Sequence, residues 1–179
     1  MVPGDYAVGQ VVKASAAKST FTVVPKLGSS AENVVCKTAM ELKLGTTGGG
    51  AGTNVTGNVE NLSFTSCTRE KTGFGCTATV VGTPPATFAI AWTSAGNGNF
   101  STSSITIQVT CPNVLACVFK AAPTVPMTGS GTTPQITVSQ VKFQQEEPKG
   151  FTECPSSSQW DATYSIESPT PLWVANQMA

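Results

Sequence analysis

The sequence predicts an all-β fold: a single-domain antiparallel β-sandwich carrying three disulfides, with a β-barrel as the alternative. Three observations predict it. Apolar and polar residues alternate with a period of two, and helical periodicity is nearly absent. Turn-forming clusters of Gly, Pro, Asn and Ser divide the alternating runs at spacings of roughly 10–15 residues. Six cysteines are spread through this pattern with no CxxC pair and no histidine beside them. With 179 residues, 40% of them apolar, the chain can bury one good core.

The elements follow in order. Residues 1–18 read as an N-terminal arm and residues 19–179 as the sandwich domain. In the arm Val8, Val11 and Val12 fit a helical i, i+3, i+4 stripe, but Ser15 interrupts it at i+7. Gly9 and the β-branched valines weaken a helix further, so a surface arm or edge strand is expected, able to pair with another copy of the chain. Residues 21–24 look like a short strand. Val34, Cys36, Thr38, Met40, Leu42 and Leu44 then share one face, with Lys37, Glu41 and Lys43 on the other. Residues 59–66, 77–81 and 115–120 are further short strands. Phe88, Ile90 and Trp92 share a face, as do Ile105, Ile107, Val109 and Cys111, and again Trp160, Ala162, Tyr164 and Ile166. Each reads as apolar inward and polar outward, which places Trp92 and Trp160 in the core. In 135–143 the apolar parity switches from Ile136 and Val138 to Val141 and Phe143, which predicts a β-bulge near Ser139 or Gln140. SAGNGN (94–99) is a hairpin turn because Gly and Asn tolerate positive φ. The Gly-rich run 45–54 lacks the strand–helix context of a phosphate loop and reads as a plain loop.

Composition excludes several functions. Ten Lys+Arg balance ten Asp+Glu, and the single arginine is Arg69. Such a chain has no electrostatic footprint for nucleic acid. Without histidine there is no imidazole base and no His-ligated metal, so no metal and no cofactor is expected. No run of 18 apolar residues spans a membrane.

Cys36, Cys67, Cys76, Cys111, Cys117 and Cys154 read as three structural disulfides, which places the protein outside the cell or at its surface. Six cysteines allow fifteen connectivities. Cys67 and Cys76 flank a turn, Cys111 and Cys117 bracket PNVLA, and Cys36 is then left for Cys154. On the chain-entropy account that long closure stabilises most, roughly 4–5 kcal/mol. The start MVPGDYAVGQ lacks the basic and apolar regions of a signal peptide and reads as a mature N-terminus with a start Met.

Candidates for chemistry are few, and no catalytic residue is expected. Glu41, Asp161 and Glu167 lie on the polar faces of strand patterns, where solvation is their ordinary role. As paired carboxylates they make a hydrolase the third reading of function. Ser15-Ala-Ala-Lys18 and Lys71-Thr72-Gly73 match the SxxK and KTG elements of serine β-lactamases, but no helix opens at Ser15 and no SDN accompanies them. Trp173, between Leu172 and Val174, points away from its neighbours and is the candidate for a glycan platform or a subunit interface. Three Asn-x-Ser/Thr sequons begin at Asn54, Asn61 and Asn99.

The stretch CPSSSQWDATYSIESPTPLWV (154–174) resembles an ending found in uncharacterised secreted bacterial β-proteins: Cys-Pro, an aromatic, a Tyr-containing strand, then Pro-x-Pro-Leu-aromatic-Val. SCTREKTGFGCTATV and TCPNVLACVFKA are similar to the same proteins. The resemblance covers roughly residues 34–174 and rests on disulfides, core aromatics and turns. It implies a secreted β-protein and nothing about catalysis. The expected function is therefore a non-enzymatic secreted or surface protein with a structural, self-assembly or adhesive role, forming a homo-oligomer or surface assembly through the arm. A glycan-binding module is the first alternative.

Overall fold

The computed structural model describes residues 6–23, 32–46, 54–94, 96–113, 115–131, 133–146, 154–155, 157–170 and 172–174. They form thirteen strands: β1 (Val11–Val23), β2 (Glu32–Leu44), β3 (Val55–Arg69), β4 (Thr77–Val81), β5 (Ala86–Ser94), β6 (Asn97–Thr102), β7 (Ile105–Cys111), β8 (Leu115–Ala121), β9 (Thr124–Thr128), β10 (Ser130–Gly131), β11 (Gln135–Gln145), β12 (Ser157–Ser168) and β13 (Leu172–Trp173). Eight of them close into an antiparallel barrel in the order β12-β1-β2-β3-β5-β6-β9-β11, with β11 pairing back onto β12. Of the two all-β alternatives the barrel is the one formed.

The strand that joins β12 to β2 includes the segment expected to be an N-terminal arm. Residues 11–18 are not an arm: they begin β1, which pairs with β2 on one side and β12 on the other. Its pattern is masked by a register shift between Ala16 and Ser19. Before the shift Val12, Ala14 and Ala16 point inward; after it Ser19, Phe21 and Val23 do. Parity therefore changes mid-strand, and two inward positions are alanine and one is serine, so no clean alternation survives in the sequence.

β3 and β11 are long enough to serve two partners each. Val55–Val59 of β3 pairs with β5, and Gln135 and Ile136 of β11 pair with β9. At their other ends Thr68 bridges Gly75, just before β4, and Gln144 and Gln145 pair with β8. Two three-stranded layers, β5–β6–β9 and β8–β7–β4, thus span the same arc between β3 and β11, one at each end. Ile105, Ile107, Val109 and Phe119 bury the inner face of the second layer.

The barrel interior is filled by side chains. Trp160 is ringed by Phe21, Phe64, Phe143 and Tyr164 at centroid distances of 6.1, 6.1, 5.7 and 6.3 Å. Its indole N–H donates to the Ser19 hydroxyl at 2.8 Å, and the Tyr164 and Thr38 hydroxyls share a hydrogen bond at 2.8 Å. These pairings explain why Ser19 and Thr38 are buried polar residues, since an unpartnered indole or phenol inside the core costs about 1–3 kcal/mol.

The predicted bulge is present. Val138 faces Ala162 and Val141 faces Trp160, so β11 gains one residue, and Gln140 takes φ 51°. Its N–H, turned out of the ladder, donates to Asp161 Oδ1 at 2.8 Å. Gly57 of β3 answers a different demand: a Cβ there would sit 2.1 Å from the Lys43 carbonyl oxygen and 2.8 Å from the Phe88 ring.

Candidate functional site

The disulfides form among the six predicted cysteines but not in the predicted pairs. The bridges are Cys36–Cys67, Cys76–Cys111 and Cys117–Cys154, closing 31, 35 and 37 residues. Strand register decides this. Cys67 and Cys76 do oppose each other across the β3–β4 turn, but Cys76 N–H donates to Cys67 O, which places them in the wider, hydrogen-bonded kind of cross-strand position. Cys36 is reached because β2 and β3 pair Val35 with Thr68 and slip at Ser66, which has φ 51°. Cys76 meets Cys111 because β4 and β7 pair Thr77 with Thr110. The Cα–Cα separations of 4.1 and 4.4 Å are those of the closer, non-hydrogen-bonded kind of cross-strand neighbour. On the β7–β8 hairpin Cys111 pairs with Leu115 and Cys117 with Val109, so Cys111 and Cys117 are two rows out of register.

The three carboxylates do not converge in a cleft. Glu41 faces outward on β2 and forms an ion pair with Lys13 at 3.6 Å. Glu167 faces outward near the end of β12 and accepts a hydrogen bond from Ser15. Asp161, farther along β12, accepts from Gln140 and from the Gln159 amide. Ser15 and Lys18 lie on β1, not on a helix, and Lys71 lies in the turn after β3. Among the described residues no group of His, Cys, Asp and Glu is placed to hold a metal.

Trp173 lies in β13, its backbone paired with Ser130; its side chain falls outside the described part of the structure. Trp92, expected in the core, is instead 43% exposed. It follows Ile90 on β5, whose partner Val55 is the first residue of β3, so Trp92 lies past the end of that ladder. Opposite it sits Gly98, where a Cβ would touch Val174 at 2.9 Å. Trp160, by contrast, is core as predicted. Asn54, Asn61 and Asn99 are all exposed.

Two polar clusters were not singled out in the sequence. Glu32, 7% exposed, accepts from Arg69 at 3.1 Å, where the ends of β2 and β3 bring them together. Glu70 accepts from Asn33 at 2.7 Å and from Lys18 at 3.4 Å. The Asn33 hydrogen bond, followed by Lys18, holds its carboxyl below the ordinary glutamate range. Both depend on contacts between residues 37 to 52 positions apart, which carry no local sequence signal.

No helix is long and apolar enough to cross a membrane. Outward positions on β1, β2 and β12 carry Lys13, Lys37, Glu41, Asp161 and Glu167 over an apolar interior. No protein-family model matches the chain, and no curated protein or solved structure matches it significantly.

Proposed function

We propose that the protein is a non-enzymatic, secreted or surface-held module with a structural, self-assembling or adhesive role, exercised through its outer faces. The observation that carries this reading is the interior. Where ligand-carrying barrels keep a chamber, this one holds Trp160 with Tyr164, Phe64 and Phe143 packed edge to face and Phe21 stacked against it. Binding is thereby left to the surface. The candidate carboxylates are engaged with Lys13, Ser15, Gln140 and Gln159 on that surface, an arrangement suited to solvation rather than to proton transfer. Three buried disulfides fit an oxidising compartment. Both edges of β1 are occupied, so residues 11–18 are not free to add to the sheet of a neighbouring copy. Sedimentation velocity across a concentration series, together with retention on insoluble polysaccharide, tests the reading. Association or retention is the expected result; a monomer at every concentration that no matrix retains overturns it.

A further inference from the structure

Four buried side-chain polar atoms among the described residues make no hydrogen bond: Glu32 Oε1, Arg69 Nε, Ser158 Oγ and Thr102 Oγ1. The first three gather at one end of the barrel. Phe143, Ser158, Val23 and Glu32 form a buried row across β11, β12, β1 and β2. The next row holds Val141, Trp160, Phe21, Val34 and Arg69. Arg69 is therefore the diagonal neighbour of Glu32, which is how its guanidinium reaches that carboxylate.

The ion pair these two residues make is incomplete. Its hydrogen bond runs from Arg69 Nη2 to Glu32 Oε2 at 3.1 Å, between side chains only 19% and 9% exposed. A guanidinium and a carboxylate that satisfy each other commonly meet through two parallel bonds. Here the second donor, Nε–H, and the second acceptor, Oε1, are both left over on the same two groups. A charged donor and a charged acceptor left dry cost more than the immobilisation of one water molecule.

We propose that this end of the barrel is a binding site for internal water, held between Arg69 Nε–H and Glu32 Oε1, with the Ser158 hydroxyl as a further pole. The chemistry of the ligand follows from those atoms. An anion matched to Nε–H meets the Glu32 carboxylate, and a cation matched to Oε1 meets the guanidinium, so an ion of either sign is repelled. A neutral molecule that both donates and accepts answers the two together, and water is the smallest that does. Buried waters take about three hydrogen bonds from polar groups of this kind. The site is separate from the role proposed for the outer faces. It sets a hydrated pole beside the row that carries Phe21 and Trp160, whose surroundings are otherwise aromatic.

Arg69 is the only arginine, so its Nε–H gives a single unambiguous resonance in the isotope-labelled full chain. Water-selective Overhauser spectra of the wild type are expected to show cross-relaxation between this proton and water. Its sign should be opposite in the laboratory and rotating frames, as for a water that stays bound longer than the protein takes to tumble. Magnetic relaxation dispersion of the solvent is expected to lose at least one long-lived water in Glu32→Met with Arg69→Met. Thermal unfolding shows whether that double variant is folded; if it is not, the wild-type spectrum decides. An Nε–H that exchanges freely with bulk solvent overturns the assignment in favour of an open ion pair. Absence of cross-relaxation, with Nε–H bonded directly to the carboxylate, overturns it in favour of a closed two-bond pair. Dispersion unchanged in the folded double variant overturns it by placing the long-lived waters elsewhere. An organic molecule released in equal amount when wild type is denatured, and detected by mass spectrometry, overturns it in favour of a small neutral ligand.

Discussion

Ser19 and Trp160 show how much a single polar side chain decides inside this barrel. The Ser19 hydroxyl is the acceptor for an indole N–H that is otherwise surrounded by Phe21, Phe64 and Phe143. Ser19→Ala removes the acceptor and keeps the buried donor, so a loss of about 1–3 kcal/mol is expected in denaturant unfolding. An unchanged midpoint and slope would show that the indole finds another partner. Tyr164 makes a pH-dependent prediction. Burial pushes its phenol well above the ordinary tyrosine range, with the Thr38 hydrogen bond opposing only slightly. A raised native value means that stability is complete below the unfolded pKa, near 10, and declines as pH rises above it. In a Tyr6→Phe variant, which leaves Tyr164 as the only tyrosine, phenolate absorbance is expected to appear only together with alkaline unfolding. A phenolate signal in folded protein near pH 10 contradicts the buried environment.

At the scale of elements the decisive strand is β1. It contributes Val12, Ala14, Ala16, Phe21 and Val23 to the interior and joins β12 to β2. Deleting residues 1–18 removes the first half of that seam and exposes the edges of both neighbours. The shortened protein is expected to lose near-ultraviolet circular dichroism and amide protection in β2 and β12. A shortened chain with full protection would restore the description of this segment as a dispensable arm. The sequence pattern was legible wherever a strand keeps one parity, as in β2, β7 and β12. It was legible also at the β11 bulge, where strong apolar residues flank the slip on both sides. It failed at β1 because the inward side chains there are small or hydroxylic, and at Trp92 because parity reports a direction and not whether a neighbouring strand reaches that far.

Over the whole molecule, the disulfides link segments that the ladders already bring together. They join β2 to β3, the residue before β4 to β7, and β8 to the segment before β12. With loops of 31 to 37 residues the chain-entropy account assigns each roughly 3.5–4 kcal/mol, so no one bridge dominates as Cys36–Cys154 would have. All six sulfurs are buried. Native protein is therefore expected to show no thiol by colorimetric titration and to resist mild reductant until denatured, and peptide mapping should return the three pairs named here. Reactive thiols in undenatured material would remove the oxidising compartment from the argument.

Sequence alone determined that the chain is β throughout, which faces of β2, β7 and β12 turn inward, that the cysteines pair, and that imidazole chemistry is excluded. Those properties follow from residue type and from a two-residue period, both of which are local. Tertiary structure alone decided that the sheet closes into a barrel and which cysteine meets which. Each of these depends on register between distant strands, and register is set by slips such as those at Ala16, Ser66 and Gln140, where one residue reassigns every later partner.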